Sequence, residues 1–178
     1  MLCAVAQMIQ IAYQPAYDAF HTIFRFFQLA GLEISDVETD RYRILDYYLC
    51  FPSELAHFRF PPKHTRFRKL GERFAQTSSY ERRPSAQLIL GRMRPVQAAC
   101  LETLEAKGFL VVGELDRRRI VRTVKPSPTD LAARIGARWE QQAELGEALR
   151  TIASEYPLLG PQGLKARSEL LEHKYDAI

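Results

Sequence analysis

The chain has 178 residues, of which 47% are hydrophobic and 26% are charged, and it contains 9 Gly and 10 Pro. This composition is that of an ordinary folded protein and excludes collagen-like and low-complexity chains. The three cysteines lie far apart and form no CxxC pair, so neither a disulfide framework nor a cysteine zinc cluster is expected. We therefore expect a reducing, cytoplasmic setting. No apolar stretch is long enough to cross a lipid bilayer, so no membrane partner is expected.

The net charge of +4 is unevenly distributed along the chain. Residues 1–40 carry one Lys or Arg against five Asp or Glu, residues 41–125 carry eighteen against eight, and residues 126–178 carry six against eight. A basic centre of this kind predicts a surface that meets phosphates or an acidic protein partner. The alternative is a solvated face without a ligand.

The N-terminal part of the chain predicts a strand followed by helices. Residues 1–13 are apolar but lack the basic start of a signal peptide, so they predict a short strand, and Met8 offers a second start codon. Helical spacing over residues 18–30 predicts a helix whose inward face consists of Phe20, Ile23, Phe24 and Phe27. A second helix is expected from about residue 36 or 40 until Phe51-Pro52, and a basic helix over residues 64–75.

The central region, residues 61–125, predicts a winged-helix-like arrangement. One helix is expected over residues 85–90, and another from Pro95 until Gly108, because proline is well suited to the first turn of a helix and glycine to the residue after its end. The chain then changes to a hairpin with a basic tip, formed by two β-branched runs, residues 109–112 and 120–124. Helix, helix and hairpin in this order are typical of a winged helix.

The C-terminal region predicts one long helix, from residue 127 or 129 to residue 156. Its apolar residues form a narrow stripe close to a heptad seam, which predicts a partner. The predicted partner-binding residues are Trp139, Leu145, Leu149 and Ile152. A short terminal helix is expected over residues 164–174.

The predicted fold class is thus mainly α with a small β-hairpin, built as a winged-helix-like core with N-terminal helices and a long C-terminal helix. Residues 1–60 form an N-terminal helical segment packed on the core, residues 61–125 form the winged-helix-like region, and residues 126–178 form a helical extension for partner docking. Arg25 and Asp46, on the first two predicted helices, are expected to form a buried pair that specifies structure.

Six residues of the winged-helix-like region are candidates for DNA binding. Arginine and glutamine can read base edges from a recognition helix, whereas clustered arginine on a wing usually contacts phosphate. The candidates are Arg92, Arg94 and Gln97 at the start of the recognition helix, and Arg117, Arg118 and Arg119 on the wing. The alternative is that the basic wing docks on an acidic protein.

No sequence motif points to catalysis. The chain contains no HExxH, GxSxG, GxGxxG or GxxxxGK[ST] pattern, and its four histidines show no metal-ligand spacing. We interpret Asp36, Glu38 and Asp40 as the acidic start of a helix, which the helix dipole favours, rather than as a metal site. No metal, no cofactor and no catalytic residue is therefore predicted.

Two segments resemble the small middle components of bacterial three-component ABC-ATPase conflict systems, of which the Lamassu anti-phage and anti-plasmid systems are the best known. The segments are residues 13–25, YQPAYDAFHTIFR, and residues 41–52, RYRILDYYLCFP. The resemblance implies a non-catalytic adaptor, similar in role to LmuC, that sits with an SMC-like or Rad50-like ATPase and an effector, commonly a nuclease. It implies that the C-terminal helix docks on the ATPase and that the effector is restrained until DNA engages.

The residues leave a second interpretation open. A stand-alone winged-helix transcription regulator would dimerise through its terminal helices and place two recognition helices in successive major grooves of double-stranded DNA.

Overall fold

The computed structural model of the chain describes residues 14–32, 34, 36–77 and 84–171. The strand predicted for residues 1–13, and with it Met8, lies outside the described residues. The helices of the described part are α1 (Ala19–Ala30), α2 (Thr39–Cys50), α3 (Thr65–Thr77), α4 (Ala86–Ala106), α5 (Thr129–Gln141), α6 (Ala143–Glu155) and α7 (Leu164–Ser168). The strands are β1 (Asp36–Glu38) and β2 (Arg119–Val121), and short 3-10 turns cover Pro15–Tyr17, Pro52–His57 and Pro62–His64.

The prediction of a mainly helical chain with a small antiparallel β element is confirmed, but the strands pair differently. β1 pairs with β2, so that Val37 lies opposite Ile120. Residues 109–112 contribute a single bridge, between Leu110 and Arg122, with hydrogen bonds of 2.9 Å from Val111 N to Val121 O and 3.0 Å from Thr123 N to Phe109 O. The ladder stops there because the next residues leave the sheet, with Val112 81% exposed and a positive φ at the following glycine.

Helix α4 is continuous, so the break predicted between residues 90 and 95 is wrong. Pro95 lies inside the helix, where it lacks the N–H that would bond to the carbonyl of Gly91. Both residues face solvent, and water can therefore reach that carbonyl. Buried side chains on both sides of the proline, Met93 and Leu101 among them, hold the two halves of the helix against one core.

The predicted long C-terminal helix is instead two helices, α5 and α6, separated at Gln142. The backbone of Gln142 is not helical, with φ −124° and ψ 35°. The reason is that the two helices pack on different partners, α5 against α1 and α6 against α2. The predicted terminal helix is shorter than expected, since α7 ends at Ser168 and Glu169 adopts a left-handed conformation with φ 55°.

One hydrophobic core joins all three parts of the chain. Ile44, Leu90 and Leu149, from α2, α4 and α6, are each fully buried in it. Arg41 reinforces the junction, because its Nη1 donates hydrogen bonds of 2.9 and 2.7 Å to the carbonyls of Ala153 and Tyr156. A cation is favourable at this end of a helix, where the last carbonyls lack partners. α2 is thereby fixed to the C-terminal part of the chain.

None of the described helices combines the length and apolar character that a membrane-spanning helix requires.

Candidate functional site

Helix α4 presents two exposed arginines on its N-terminal half. Arg92 and Arg94 are exposed, and neither forms an ion pair with a described residue. The solvent-facing side of the helix between them carries the small residues Gly91, Pro95 and Ala98, and the same side also presents Leu88, which is 47% exposed, and Glu102 further along. A ligand can therefore approach the helix closely while the two guanidinium groups remain available for phosphate.

Gln97, predicted beside these arginines, lies on the opposite side of the helix. It is 1% exposed, and its Nε2 donates a 2.8 Å hydrogen bond to Oδ2 of Asp46. Met93, Gln97 and Cys100 follow one another at helical spacing on the buried face. Gln97 is therefore removed from the candidate DNA surface.

The loop before β2, which corresponds to the predicted basic wing, has its positive charge balanced by nearby carboxylates. Each of its three arginines forms an ion pair: Arg117 with Glu114 at 2.9 Å, Arg118 with Asp40 at 3.1 Å, and Arg119 with Asp36 at 2.5 Å. Two of the three carboxylates belong to the segment of β1 and α2. An incoming phosphate would have to compete with them, so the wing is a weaker cationic surface than its sequence predicts.

Asp40, in the first turn of α2, forms ion pairs with three cationic side chains of the described residues. Besides Arg118 it contacts Arg43 Nη1 at 3.3 Å and Lys165 Nζ at 3.1 Å. Burial lowers the pKa of Arg43, Asp40 opposes that effect, and the positive charges of Arg94 and Arg118 add to it. The local sequence indicates only that Asp40 belongs to an acidic helix start. Its partners Arg118 and Lys165 lie 78 and 125 positions further along the chain, so no local pattern predicts these contacts.

Arg25 and Asp46 form the predicted pair in the interior. Arg25 Nε donates to Asp46 Oδ1 at 2.6 Å, and Asp46 is fully buried. Burial alone would lower the pKa of Arg25, but the charge and hydrogen bonds of Asp46 outweigh it and raise that pKa. Burial, followed by the charge of Asp46, also raises the pKa of Tyr42 and of the Cys100 thiol, so both stay protonated at neutral pH.

The same polar centre explains why Phe20 is not in the core. Phe20 is 85% exposed, so its predicted inward orientation is wrong. Because Asp46 binds Arg25, and Arg25 Nη2 bonds to Thr22 Oγ1 at 3.0 Å, the side of α1 that carries Thr22 and Arg25 turns inward. Phe20 lies away from that side and faces solvent.

The basic helix α3, in the densest cationic part of the sequence, faces an acidic helix. Arg66 pairs with Glu147 at 2.6 Å, and Arg73 pairs with Glu144. Just before α3, Lys63 Nζ lies 2.6 Å from Oε2 of Glu155. These contacts account for much of the local excess of charge, so α3 is not a free cationic face.

The C-terminal seam contacts its own domain. Leu145 is 1% exposed, and Leu149 and Ile152 are fully buried against the core, so their predicted role in partner binding is wrong. Trp139 is half-buried; its Nε1 donates a 3.0 Å hydrogen bond to the carbonyl of Gln28. The seam looked unpartnered in the sequence because its partner, α2, lies about a hundred positions earlier.

Within the described part of the chain, no three His, Cys, Asp or Glu side chains are grouped as metal ligands. Cys50 and Cys100 carry reduced thiols.

The fold and its charges define a small, mainly helical protein with an exposed arginine pair on α4 beside a loop whose own arginines are paired. The chain belongs to the family described as ABC-three component (ABC-3C) system Middle Component 5, which it matches over residues 11–176. The predicted middle component of a three-component ABC system is thereby confirmed at the level of the family. No curated protein and no solved structure matches the chain.

Proposed function

We propose that the chain is a non-catalytic adaptor that bridges an SMC-like or Rad50-like ABC ATPase and an effector, commonly a nuclease, in an anti-phage or anti-plasmid system of Lamassu type. The family match over residues 11–176 is the observation that carries the proposal, because a middle component implies other components. The proposal includes a cytoplasmic setting, since the three cysteines lie far apart in the sequence and form no CxxC pair.

The proposal includes a contact with double-stranded DNA through α4. Its support is the pair of exposed arginines, Arg92 and Arg94, with the small residues Gly91 and Pro95 between them on the helix surface. The order of elements also supports it: α1, β1, α2, α4, the bridged segment around Leu110, and β2 follow one another as in a winged helix, with α3 inserted. In that arrangement α4 is the recognition helix and the loop before β2 is the wing.

The adaptor role is tested by co-expressing the chain with the ABC ATPase and the effector of its own three-component system and purifying the assembly through a tag on the ATPase. We expect all three proteins to elute together by light scattering, and the ATPase and effector to separate when this chain is omitted. A stand-alone homodimer that binds its own promoter and neither the ATPase nor the effector would contradict the proposal and support the regulator interpretation.

The DNA contact is tested by replacing both α4 arginines, R92A/R94A, in the assembled complex. The slope of log K against log salt is negative, and each lost phosphate contact reduces its magnitude by about 0.9, so we expect that magnitude to fall by about 2. R150A, which removes an exposed arginine from α6, is the control and should leave the slope unchanged. An unchanged slope in R92A/R94A would remove α4 from the DNA contact.

The wing is probed with R117A, because among the described residues Arg117 pairs only with the local Glu114, whereas Arg118 and Arg119 pair with carboxylates of α2 and β1. We expect a smaller change of slope than for the α4 pair, since Glu114 already offsets the charge of Arg117. A larger change than in R92A/R94A would make the wing the main phosphate contact.

A further inference from the structure

A groove of about 760 Å³ lies between α1 and α5. Its apolar lining includes Ile23 and Phe24 of α1 and Leu131 of α5. Phe20, which is 85% exposed, stands at the same groove. Phe20 adjoins the partly buried Ile23, Phe24 and Leu131, so the exposed apolar surface is contiguous, and contiguous patches of this kind mark interaction sites.

The groove is positively charged as well as apolar. Arg134 and Arg138 of α5 line it, both are exposed, and neither forms an ion pair with a described residue. Arg134 lies over the ring of Phe24, with Cζ 5.6 Å from the ring centroid. The lining of the groove includes no Asp or Glu. This distinguishes the groove from α3 and from the wing, whose arginines already contact carboxylates.

The wall of the groove also contains a buried hydrogen-bond donor without an acceptor. Gln28 is 3% exposed, and its Nε2 has no partner among the described residues. The backbone carbonyl of the same residue is occupied by Trp139. Leaving a buried amide unsatisfied costs about 1–3 kcal/mol, so the α1 wall of the groove retains an unpaired donor just below its surface.

We propose that this groove binds an amphipathic segment of another subunit of the system, a segment with apolar residues on one side and acidic residues beside them. The apolar residues pack on Phe20 and Phe24, and the carboxylates pair with Arg134 and Arg138. Charge complementarity selects this occupant over residues 1–13, which contain no carboxylate. A second copy of the chain is distinguished by the crosslinking experiment below. The inference rests on the proposed adaptor function and deepens it.

The occupant is identified by placing a photo-crosslinking phenylalanine analogue at position 20 of the chain in the assembled three-component complex. We expect a crosslink to one peptide of the ATPase or the effector that combines Asp or Glu with apolar residues. The control is the same analogue at Val124, which is fully exposed and does not line the groove, and which should not yield that peptide. A crosslink from position 20 to residues 1–13, to a second copy, or to no protein would overturn the inference.

Charge reversal gives an independent readout. We expect R134E/R138E to weaken association with the crosslinked subunit at least tenfold, while the thermal unfolding midpoint of the variant chain stays unchanged. R150E should not weaken that association. Wild-type affinity in R134E/R138E would overturn the inference even if a crosslink forms. The two proposals can fail separately. A wild-type chain that assembles with neither the ATPase nor the effector contradicts the adaptor function. A complex that assembles normally, but without a crosslink from position 20 and without an effect of R134E/R138E, contradicts only the proposed groove.

Discussion

At the scale of single residues, the interior is organised around the carboxylate of Asp46. It accepts hydrogen bonds from Arg25 and Gln97 and has no exposure to water. Arg25 in turn donates from Nη1 to the carbonyl of Pro15 at 2.9 Å, so the same group connects α2, α4, α1 and the turn before α1. A buried ion pair of this kind contributes to the specificity of a fold more than to its stability.

Removing one member of the Arg25–Asp46 pair should therefore lower the free energy of unfolding far more than replacing both members with apolar residues. We expect D46A to lower the free energy of unfolding by about 3–5 kcal/mol, because it leaves the guanidinium of Arg25 buried without a counter-charge. The double variant R25M/D46L should recover part of that loss. Both are measured by urea denaturation of the purified chain, and a double variant less stable than D46A would show that Asp46 acts mainly through Gln97.

At the scale of elements, α3 and α5 each contain a glycine, but in opposite surroundings. A Cβ added at Gly71 would lie 2.2 Å from the backbone nitrogen of Ala56, so α3 packs directly on the 3-10 turn Pro52–His57. A Cβ added at Gly136 would meet no atom within 4 Å. Gly71 is thus required by close packing, whereas Gly136 only lowers the helical propensity of α5.

The same substitution should then have opposite effects in the two helices. We expect G71A to destabilise the chain by about 3 kcal/mol or more, because backbone cannot move aside as a flexible side chain can. G136A should stabilise it by about 0.5–1 kcal/mol. Thermal unfolding followed by circular dichroism measures both, and a neutral G71A would mean that α3 can shift away from the turn without cost.

The sequence predicted elements well where the signals are local. The spacing of Phe24 and Phe27 and the stop at Gly31 define α1 closely, and Pro52 ends α2 as expected. The continuity of α4 and the break at Gln142 depend on which neighbours each helix packs against, and no local signal reports that. For the candidate site, Arg92 and Arg94 are exposed as predicted, but Gln97 and Leu149 are buried because helix orientation is set by distant residues such as Asp46.

At the scale of the whole molecule, Asp40 holds together three distant parts of the chain. It lies in the first turn of α2 and contacts Arg118 of the loop before β2 and Lys165 of α7. Its side chain is only 10% exposed, so these ion pairs are shielded from solvent more than most surface pairs. A backbone hydrogen bond joins the same two segments, since Thr39 N donates to Arg118 O at 2.8 Å.

Loss of this carboxylate should loosen the loop and α7 together. We expect D40N to lower the free energy of unfolding by about 1–3 kcal/mol and to speed tryptic cleavage after Arg118 and Lys165. D36N, which breaks the exposed pair with Arg119, should cost under about 1 kcal/mol. Cleavage at Arg118 alone, with Lys165 still protected, would show that α7 is held by its apolar contacts and not by Asp40.

The contacts of α2 have a consequence for biosynthesis. β1 cannot pair until residues 119–121 have been made, and Arg41 has no helix end to bond until residues 153–156 follow. Contacts so distant in sequence close late and slow folding. While the ribosome is still adding the last helices, the first eighty residues expose the aromatic surface of α2 to the surrounding solution. The contacts that cover α2 are therefore complete only after residues 153–156 have been made.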